Sequence, residues 1–444
     1  MPGLVVQPPR PLSYSLGMQR SHARTVLVRA YDAAVAAAQP ARSVPRFLPP
    51  APAGRLLVVG AGKAAAGMLA AVTAHYGGWQ EMEGVVIVPY GTPAPSVNGP
   101  VRVREAAHPL PDEAGVAATN DILSLLSTAG AGDLVLLLLS GGGSALLTSP
   151  LGVTLEAKRE LTRALLRSGA AIDEINAVRR QLSAVKGGRL GLAAAPAPLH
   201  ALVLSDVVGD DLASVASGPA YGDPSGIDGA LAVLDRHLPE SPVRDVLRRK
   251  QAEGDVNPAP GSPRLAHVRH HLVGNNLASL QAARDSLRND GYRTRLLGDG
   301  ITGDAQAAAR EHARLVHESL PDAPLALLSG GETTVQVKEG SGQGGRNSTF
   351  ALALALQIKE ILPREQLARV AILAVDTDGI DGNSPAAGGL LDGEALLALD
   401  AGKARAALER NDSHGYLTSI GGTLVTGPTG TNVNDLRVIL IGGR

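Results

Sequence analysis

Uninterrupted runs of aliphatic residues recur along the chain and constrain its fold more than any other feature. The runs lie at residues 55–62, 84–91, 133–143, 200–211, 270–276, 324–334 and 370–382. Strands without polar alternation indicate a sheet that is covered on both faces. Amphipathic segments such as residues 154–169 and 275–291 separate the runs. Because strands that alternate with helices along the chain usually form a parallel sheet, we predict an α/β fold.

A chain of 444 residues is longer than a single hydrophobic core usually accommodates, so we expect two domains. Residues 249–267 are polar and rich in Pro and Gly, which is typical of a linker. We predict a flexible tail at residues 1–20, an N-terminal domain at residues 21–255 and a C-terminal domain at residues 256–444. The final apolar segment, LRVILIGGR, predicts a strand that could return to either half.

Composition and charge argue against several functional classes. A net charge of −1 and an aromatic content of 2% disfavour nucleic acid as a partner, which needs basic surfaces and stacking platforms. The absence of cysteine excludes disulfides and thiolate metal sites. No uncharged apolar stretch has the length of a membrane span. The first 31 residues lack Asp and Glu, as transit peptides do, but we favour a tail before a start at Met18 and expect a cytoplasmic protein.

The apolar run that begins at residue 134 ends in a loop of three glycines between two serines. The residues are Ser140, Gly141, Gly142, Gly143 and Ser144. Ligands of open parallel sheets bind at the carboxyl ends of the strands, and backbone N–H groups with two hydroxyls suit a phosphate or a carboxylate there. A tight turn is the alternative. A similar SGGE at residues 329–332 favours a binding loop, because one tight turn would not need copying.

Basic residues occur in other glycine-rich segments. Lys63 lies in GAGKAAAGM, residues 60–68, which matches neither the G-x-x-x-x-G-K-[ST] phosphate loop nor the G-x-G-x-x-G dinucleotide fingerprint. It still stands at the head of a predicted helix after a strand, where it can meet an anion. Arg346 leads into an Ala/Leu helix, and its planar guanidinium suits oxyanions. Lys186 and Arg189 in VKGGRL are further candidates. A solvated surface position is the alternative for each.

Carboxylates follow two of the predicted strands. They are Asp206, Asp210, Asp211, Asp376, Asp378 and Asp381. Without Cys or clustered His they favour Mg²⁺, which takes few carboxylates together with phosphate oxygens and water; aspartates that simply shape turns are the alternative. With the glycine loops and the basic residues, they indicate phosphoryl transfer, where catalysis is positioning plus charge neutralisation. No G-x-S-x-G elbow supports acyl transfer.

Long segments of the chain resemble one enzyme family. The segments are GAGKAA, HPLPDEAG, LLSGGGSALL, INAVRRQLSAVKGGRL, LVLSDVVGDDLASVASGPAYGDPS, SGGETTV, GGRNSTFALALAL and DTDGIDGNSPAAGG. In this order, over residues 21–440, they resemble the glycerate kinases that make 2-phosphoglycerate, some of which are labelled hydroxypyruvate reductase. The last three resemble the family's C-terminal MOFRL-type module. The resemblance implies a Rossmann-like parallel-sheet N-terminal domain, a smaller α/β C-terminal domain and an active site in the cleft between them.

The resemblance also implies roles for individual residues. Lys63 and Arg346 are expected to be the principal catalytic cations and to hold D-glycerate and the transferring phosphoryl group. Asp206 is expected to hold Mg²⁺ or to accept the hydroxyl proton, and Glu332 and Asp378 are further metal candidates. Mg-ATP is expected to dock its phosphates on the glycine loop. The expected nucleotide-binding residues are Ser140, Gly141, Gly142, Gly143, Ser144 and Lys186.

Two other functions remain open at this point. An NAD-dependent hydroxypyruvate reductase would need a dinucleotide fingerprint and an acidic residue at the end of the second strand, which here ends in VIVPYG. A non-catalytic sensor of sugar phosphates would need the basic residues but not Asp206 and Asp378. A monomer or a homodimer is expected.

Overall fold

The structure is a computed structural model that describes residues 21–77, 81–92, 101–337, 340 and 342–442. The predicted tail at residues 1–20 lies outside this part of the chain. No helix within the described part combines the length and the apolar character that crossing a bilayer requires.

Each apolar run identified in the sequence overlaps a β-strand. The strands of the described residues are β1 Leu56–Ala61, β2 Met82–Pro89, β3 Val101–Ala106, β4 Leu134–Leu139, β5 Leu199–Leu204, β6 Val268–Gly274, β7 Arg293–Asp304, β8 Leu325–Thr334, β9 Val370–Asp376, β10 Gly388–Leu391, β11 Thr423–Leu424 and β12 Asp435–Ile441.

Helices connect most of these strands. Those of the described residues are α1 His22–Ala38, α2 Pro40–Ser43, α3 Ala65–His75, α4 Glu113–Leu126, α5 Gly143–Leu146, α6 Leu155–Arg167, α7 Ile172–Gln181, α8 Arg189–Ala193, α9 Gly226–His237, α10 Val243–Ala252, α11 Asn276–Asn289, α12 Ala305–Ser319, α13 Arg346–Ile361, α14 Arg364–Leu367, α15 Gly393–Ala398, α16 Ala401–Glu409 and α17 Ser413–Ser419. The side chains of Asp112, Thr154 and Asp304 cap α4, α6 and α12, because they accept from N–H groups that a helix start leaves free.

One compact unit, the parallel-sheet unit, comprises residues 38–275 and 430–432. Its strand order is β3-β2-β1-β4-β5-β6, and every neighbouring pair is parallel. All residues of β1 and β4 are buried, as uninterrupted aliphatic strands predict. The order reverses between β1 and β4, and sheets of this type bind ligands at such a switch point. The predicted Rossmann-like fold is therefore confirmed.

The other compact unit, the mixed-sheet unit, comprises the described residues of 276–429 and 433–442 and also residues 21–37, which include most of α1. Its strand order is β11-β10-β9-β12-β8-β7. β12 lies in the middle of this sheet, antiparallel to β8 and β9. Every residue from 350 to 356 in α13 is buried, because this Ala/Leu helix packs into the main core of the unit. The predicted α/β class holds for this unit as well.

The two units differ from the predicted domain boundaries at residues 21–255 and 256–444. β6 pairs in parallel with β5 and so extends the parallel sheet past the predicted linker to residue 275. α1 joins the mixed-sheet unit because Leu27 and Tyr31 pack in one core with Val438 of β12. The last strand, whose destination the sequence left open, is thus part of the mixed sheet.

Candidate functional site

Two loops meet at the switch point of the parallel-sheet unit. β1 and β4 run side by side in register, with Ala61 opposite Leu139, so the segments that follow them leave the sheet together. The backbone N–H of Lys63 donates a 2.8 Å hydrogen bond to the carbonyl oxygen of Gly141. The backbone N–H of the next residue, Ala64, donates to the Ser140 hydroxyl oxygen at 3.0 Å. The predicted phosphate loop and the predicted cationic loop are therefore bonded to each other.

The three glycines of this loop give room to neighbouring side chains. A Cβ on Gly141 would lie 2.1 Å from Oδ2 of Asp206. A Cβ on Gly142 would lie 2.9 Å from Cδ2 of His108, and the φ of Gly142 is +81°, a conformation that side chains disfavour. A Cβ on Gly143 would also meet a neighbouring atom, at 3.0 Å. The loop is glycine-rich because a carboxylate and an imidazole approach its backbone.

A cation, a carboxylate and an imidazole surround this loop. Lys63 is exposed and Asp206 is half-buried. Partial burial and, next, the positive charge of Lys63 lower the pKa of His108, so its imidazole is neutral at pH 7 and able to accept a proton. The amide nitrogen of Asn432 would lie 3.2 Å from a Cβ on Gly141. The loop thus has side chains that can bind an anion and receive a proton.

Asp206, which lies beside the glycine loop, is the carboxylate that fits the predicted magnesium site. Mg²⁺ binds one or two carboxylates and takes its other ligands from phosphate oxygens and water, and Asp206 approaches the backbone of the glycine loop on which phosphates are predicted to dock. Within the described residues, no three His, Cys, Asp or Glu side chains are grouped so that they could hold a metal ion. The donor set therefore fits Mg²⁺ only together with a phosphate ligand.

Lys186 lies beneath the glycine loop. Its side chain is buried, with 1% of the residue exposed, and Nζ donates to the carbonyl oxygen of Ser144 at 2.8 Å and to that of Ala216 at 3.4 Å. Burial and, next, the charge of Arg179 lower the pKa of Lys186 well below its usual value. Lys186 thus holds Ser144 in place by hydrogen bonding from beneath the loop. Its amine is buried, so it is not exposed for the direct contact with a nucleotide that the sequence predicted.

Arg346 in the mixed-sheet unit is enclosed by three carboxylates. Its Nε donates to Asp435 Oδ1 at 2.7 Å, Nη1 to Glu332 Oε1 at 2.8 Å and Nη2 to Asp376 Oδ2 at 2.7 Å. These residues converge because β8 and β9 reach the same sheet edge at which the antiparallel β12 begins, with Asp435 opposite both Gly331 and Asp376. Arg346, the first residue of α13, points into this edge.

The charges of this cluster shift one another's pKa values. Burial alone would lower the pKa of Arg346, but the carboxylates, led by Asp435, outweigh it and raise that pKa. Burial and, next, the neighbouring Asp378 raise the pKa of Asp376 well above its usual value, although Arg346 opposes the shift. Asp435, which is fully buried, also accepts from Arg437 and from Asn347 Nδ2. Arg346 is therefore a shared counter-ion as well as a candidate anion ligand.

A cavity of about 410 Å³ opens beside this cluster. Arg346, Glu332, Asp376 and Asp381 contribute to its lining. Both carboxylate oxygens of Asp381 accept backbone N–H groups, those of Asn347 and Ser348, at the start of α13. Asp381 is thus a helix cap, whereas the other charged groups face the cavity in a predominantly acidic environment.

Several other residues selected from the sequence have structural partners. Asp210 accepts from Asn275 and Asp211 accepts from Ala213 and Ser214, so both shape loops. Arg189 donates to Asn257 and Asp255, which is a structural ion pair. Asp378, a predicted metal ligand, accepts from the backbone N–H of Ile380. Its metal role, like that of Glu332, stays a prediction, and so does the location of the active site between the two units.

Reasoning from the sequence missed three contributors. His108 precedes a proline, which by itself indicates a turn, and its segment HPLPDEAG entered the sequence analysis only as one of the family motifs. Asp435 and Arg437 lie in the last strand, and their polar side chains interrupt an apolar run. Buried charges in such a strand are a signal of a paired cluster, and this signal was available.

Comparisons with known proteins show which family the chain resembles. Residues 26–249 match a family described as a domain of unknown function, DUF4147, and residues 325–435 match the MOFRL family. A protein of Agrobacterium vitis that carries the name hydroxypyruvate reductase is 43% identical over 434 residues, which is 95% of this chain and 95% of that protein. D-glycerate 2-kinase of Thermotoga maritima is 40% identical over 416 residues, or 90% of this chain and 94% of that protein. The crystal structure of glycerate kinase from Thermotoga maritima has a TM-score of 0.84 at 37% identity, and the match covers 94% of this chain and 99% of that chain.

These matches and the switch-point loops define an α/β enzyme of the phosphotransferase class, with an alcohol as acceptor. The chain belongs to the glycerate kinase family, whose members combine the two domains matched here.

Proposed function

We propose that the protein transfers the γ-phosphoryl group of ATP to the 2-hydroxyl of D-glycerate and releases 2-phosphoglycerate and ADP. The observation that carries this proposal is the pair of bonded loops at the switch point, where Lys63 and Asp206 lie beside a backbone that only glycine permits. The names of the Thermotoga maritima relative and structure, D-glycerate 2-kinase and glycerate kinase, support the same reaction.

The residues of the parallel-sheet unit suit the steps of in-line transfer. The phosphates of ATP lie on residues 140–144, and Lys63 offsets the charge that spreads over the transferring group. The neutral His108 accepts the proton of the 2-hydroxyl. A bond forms between that oxygen and the γ-phosphorus, the bond to the bridging oxygen breaks, and its electron pair leaves with ADP. Mg²⁺ held by Asp206 and phosphate oxygens would supply further neutralisation of the phosphate charge.

Arg346 keeps part of its predicted role as a ligand of D-glycerate, because some of its N–H donors are not bonded to the carboxylates around it. A guanidinium has five N–H donors, and three of those of Arg346 are bonded to carboxylates. The two that remain can bind the carboxylate of D-glycerate. The acidic surroundings make this a weaker anion site than that of Lys63, and so Lys63 takes the principal role in our proposal.

The test is turnover of purified protein with ATP, Mg²⁺ and D-glycerate. We expect ADP and phosphoglycerate in equal amounts, and we expect the product to react with enolase alone, because enolase consumes 2-phosphoglycerate and not 3-phosphoglycerate. Formation of ADP with a product that needs phosphoglycerate mutase before enolase would overturn the 2-hydroxyl assignment. Absence of phosphoglycerate would overturn the kinase proposal.

An NAD-dependent hydroxypyruvate reductase is the second candidate, and two observations favour it. Two relatives from Agrobacterium vitis carry that name, and the strand order of the parallel-sheet unit is that of dinucleotide-binding sheets. Against it, β2 ends at Pro89 and Tyr90 follows, where a dinucleotide-binding protein has an acidic residue for the ribose. We expect no oxidation of NADH with hydroxypyruvate under conditions that support ATP turnover.

A sugar-phosphate sensor would bind phosphoglycerate and ATP without consuming either, so the same turnover assay separates it from the kinase. The proposed use of ATP agrees with the cytoplasmic location expected from the sequence. Light scattering on the purified protein would decide between the expected monomer and homodimer.

A further inference from the structure

Two neighbouring arginines on α7 have opposite kinds of partner. Arg180 is buried and paired: Nε lies 2.8 Å from Asp223 Oδ1. Arg179 is half-buried, and its guanidinium donates only to neutral oxygens, to Asn176 Oδ1 and to Ser144 Oγ, each at 3.1 Å. No carboxylate among the described residues lies within the 4.0 Å of a salt bridge to Arg179. One arginine is thus structurally neutralised and the other is not.

Two buried lysines lie close to the charge of Arg179. Lys158 donates to the carbonyl oxygen of Leu182 at 2.8 Å, and Lys186 donates to Ser144. Burial and, next, the charge of Arg179 lower the pKa of Lys158 to about 7 and that of Lys186 well below its usual value. Three basic side chains therefore share one region with only neutral partners. Proteins normally pair buried charge, so this region lacks an anion.

Ser144 is the point at which this region meets the glycine loop. Its Oγ lies 3.1 Å from Arg179 Nη2, 3.3 Å from Lys186 Nζ and 2.8 Å from the Ser217 hydroxyl. Ala216 and Ser217 have φ values of +50° and +63°, which cost free energy for residues with a side chain and cluster at functional sites. This strained segment holds the Ser217 hydroxyl and the Ala216 carbonyl against Ser144 and Lys186.

We propose that Arg179 and Ser144 form a binding site for a phosphate of the phosphoryl donor, and this proposal rests on the proposed kinase function. Two of the five N–H donors of Arg179 are used within the protein, so three remain for phosphate oxygens, in the fork geometry that suits them. The negative charge of the phosphate pairs with Arg179 and favours the protonated form of the two lysines behind it. Lys186 thus acts on the nucleotide through Ser144, not by direct contact.

The experiment is calorimetric titration of the full-length protein with inorganic tripolyphosphate in the absence of glycerate, together with the thermal midpoint. We expect Arg179→Met to weaken tripolyphosphate binding by about 30-fold or more, because the loss of one partner of a hydrogen-bonded charge pair typically has an effect of this size. The thermal midpoint of the free variant should equal or exceed that of the wild type, because an unpaired charge has been removed. A purely structural role for Arg179 would lower it.

The control is Arg163→Met on the neighbouring helix α6. Arg163 is exposed and pairs with Glu156, and we expect its variant to bind tripolyphosphate as the wild type does. Should Arg179→Met not fold, Arg179→Lys serves instead, since it keeps the charge but not the fork; binding several-fold weaker is then expected. Wild-type affinity in both Arg179 variants, or no binding to the wild type, overturns the proposal.

Binding and turnover are measured separately, so the two proposals fail in distinguishable ways. If ATP turnover with glycerate is present and the Arg179 variants keep both wild-type affinity and wild-type KM for ATP, the phosphate site is wrong and the kinase stands. If turnover is absent but tripolyphosphate binding depends on Arg179, the kinase is wrong and the phosphate site stands.

Discussion

The backbone N–H of Lys63 is bonded to the carbonyl oxygen of Gly141 at 2.8 Å. The residue that follows Lys63 is bonded to the Ser140 hydroxyl, so two backbone positions hold the cationic loop against the glycine loop. The side chain of Lys63 takes no part in these bonds and is exposed. A substitution of the Lys63 side chain therefore removes its charge and leaves both backbone bonds in place.

Lys63→Ala should lower kcat by about 100- to 1,000-fold, the usual effect of removing one group that stabilises transition-state charge. Its thermal midpoint should stay near that of the wild type, because both backbone bonds remain. The measurement is ADP release with ATP and D-glycerate at saturating concentrations. Lys403→Ala, an exposed lysine of α16, is the matched control and should have wild-type kcat. Near-normal turnover by Lys63→Ala would show that this lysine is not the principal cation.

Gly141→Ala should displace Asp206, since the new Cβ would lie 2.1 Å from its Oδ2. A shift of about 1 Å in a positioned group can cost about 100-fold in rate, and we also expect a higher Mg²⁺ concentration at half-maximal rate. Initial rates at varied Mg²⁺ measure both. In Gly132→Ala the Cβ meets no atom within 4 Å, so this control should retain the wild-type rate and Mg²⁺ dependence. Equal Mg²⁺ dependence in both variants would contradict the metal role of Asp206.

His108→Gln should remove the acidic limb of the pH–rate profile. The pKa of His108 is lowered from its ordinary value near 6.5, so the neutral base is present at pH 7 and is lost as the pH falls below that lowered pKa. The wild type should therefore lose kcat/KM at acid pH. The glutamine variant should be slow at all pH values and show no loss of this kind. An unchanged acidic limb in the variant would assign it to another group.

Most strands that the sequence predicted are buried along most of their length, although the predicted β6 is a partly exposed edge strand. The described strands that the sequence missed lie at sheet edges or are short. β3, VRVREA, alternates apolar and charged residues, and among the described strands it pairs only with β2. β7 is mostly polar, and its one partner in the described part of the chain is β8. An edge strand needs neither a continuous apolar run nor cover on both faces, so its residues carry little of the pattern on which the prediction depended.

In the candidate site, too, some residues could be predicted from local sequence patterns and others could not. The glycine loop and Lys63 could be predicted because each lies next to an apolar run whose direction places it at a strand end. That Asp435 pairs with Arg346 could not be predicted: a charge within an apolar strand indicates a paired cluster, but the two residues are 89 apart in sequence and no local pattern shows which charges pair. The same holds for Arg179 and Ser144, which are 35 residues apart. Long-range pairing of this kind depends on the sheet order.

Arg346→Met should lower the free energy of unfolding by about 3–5 kcal/mol at pH 7.5, because it removes a counter-ion from the buried Asp376 and Asp435, of which Asp435 keeps Arg437. The deficit should shrink at pH 5.5, since Asp376, whose pKa is already raised, can then take up a proton. Urea unfolding at the two pH values measures this, with kcat measured on folded protein.

The control for that substitution is Arg314→Met in the same unit. Arg314 is exposed and pairs with Glu318 at 2.8 Å, and a surface pair of this kind contributes at most about 1 kcal/mol. A loss in Arg346→Met no larger than that of the control would mean that the three carboxylates do not depend on Arg346.

His312 of α12 should make the mixed-sheet unit sensitive to mild acid. It is 3% exposed, its Nδ1 lies 2.8 Å from the Ala308 carbonyl oxygen, and its Nε2 lies 2.9 Å from the Ser329 hydroxyl. A carbonyl only accepts, so Nδ1 carries the proton and Nε2 accepts from Ser329. Burial is the main cause that lowers the pKa of His312 to about 4; the nearby charge of Arg437 adds to it, while the Ala308 carbonyl and Glu311 oppose it.

The sign follows from the lowered pKa. The unfolded chain binds a proton near pH 6.5 and the folded chain does not until about pH 4, so stability that is fully present above pH 6.5 is lost as the pH falls toward 4. At about 1.4 kcal/mol per pKa unit, the loss between pH 7 and pH 5 is about 2 kcal/mol. In His312→Gln this contribution is absent, whereas the carboxylates titrate as in the wild type. Urea unfolding of both proteins at pH 7 and pH 5 should show the wild type losing about 2 kcal/mol more than the variant; equal losses would place the pKa of His312 near its ordinary value.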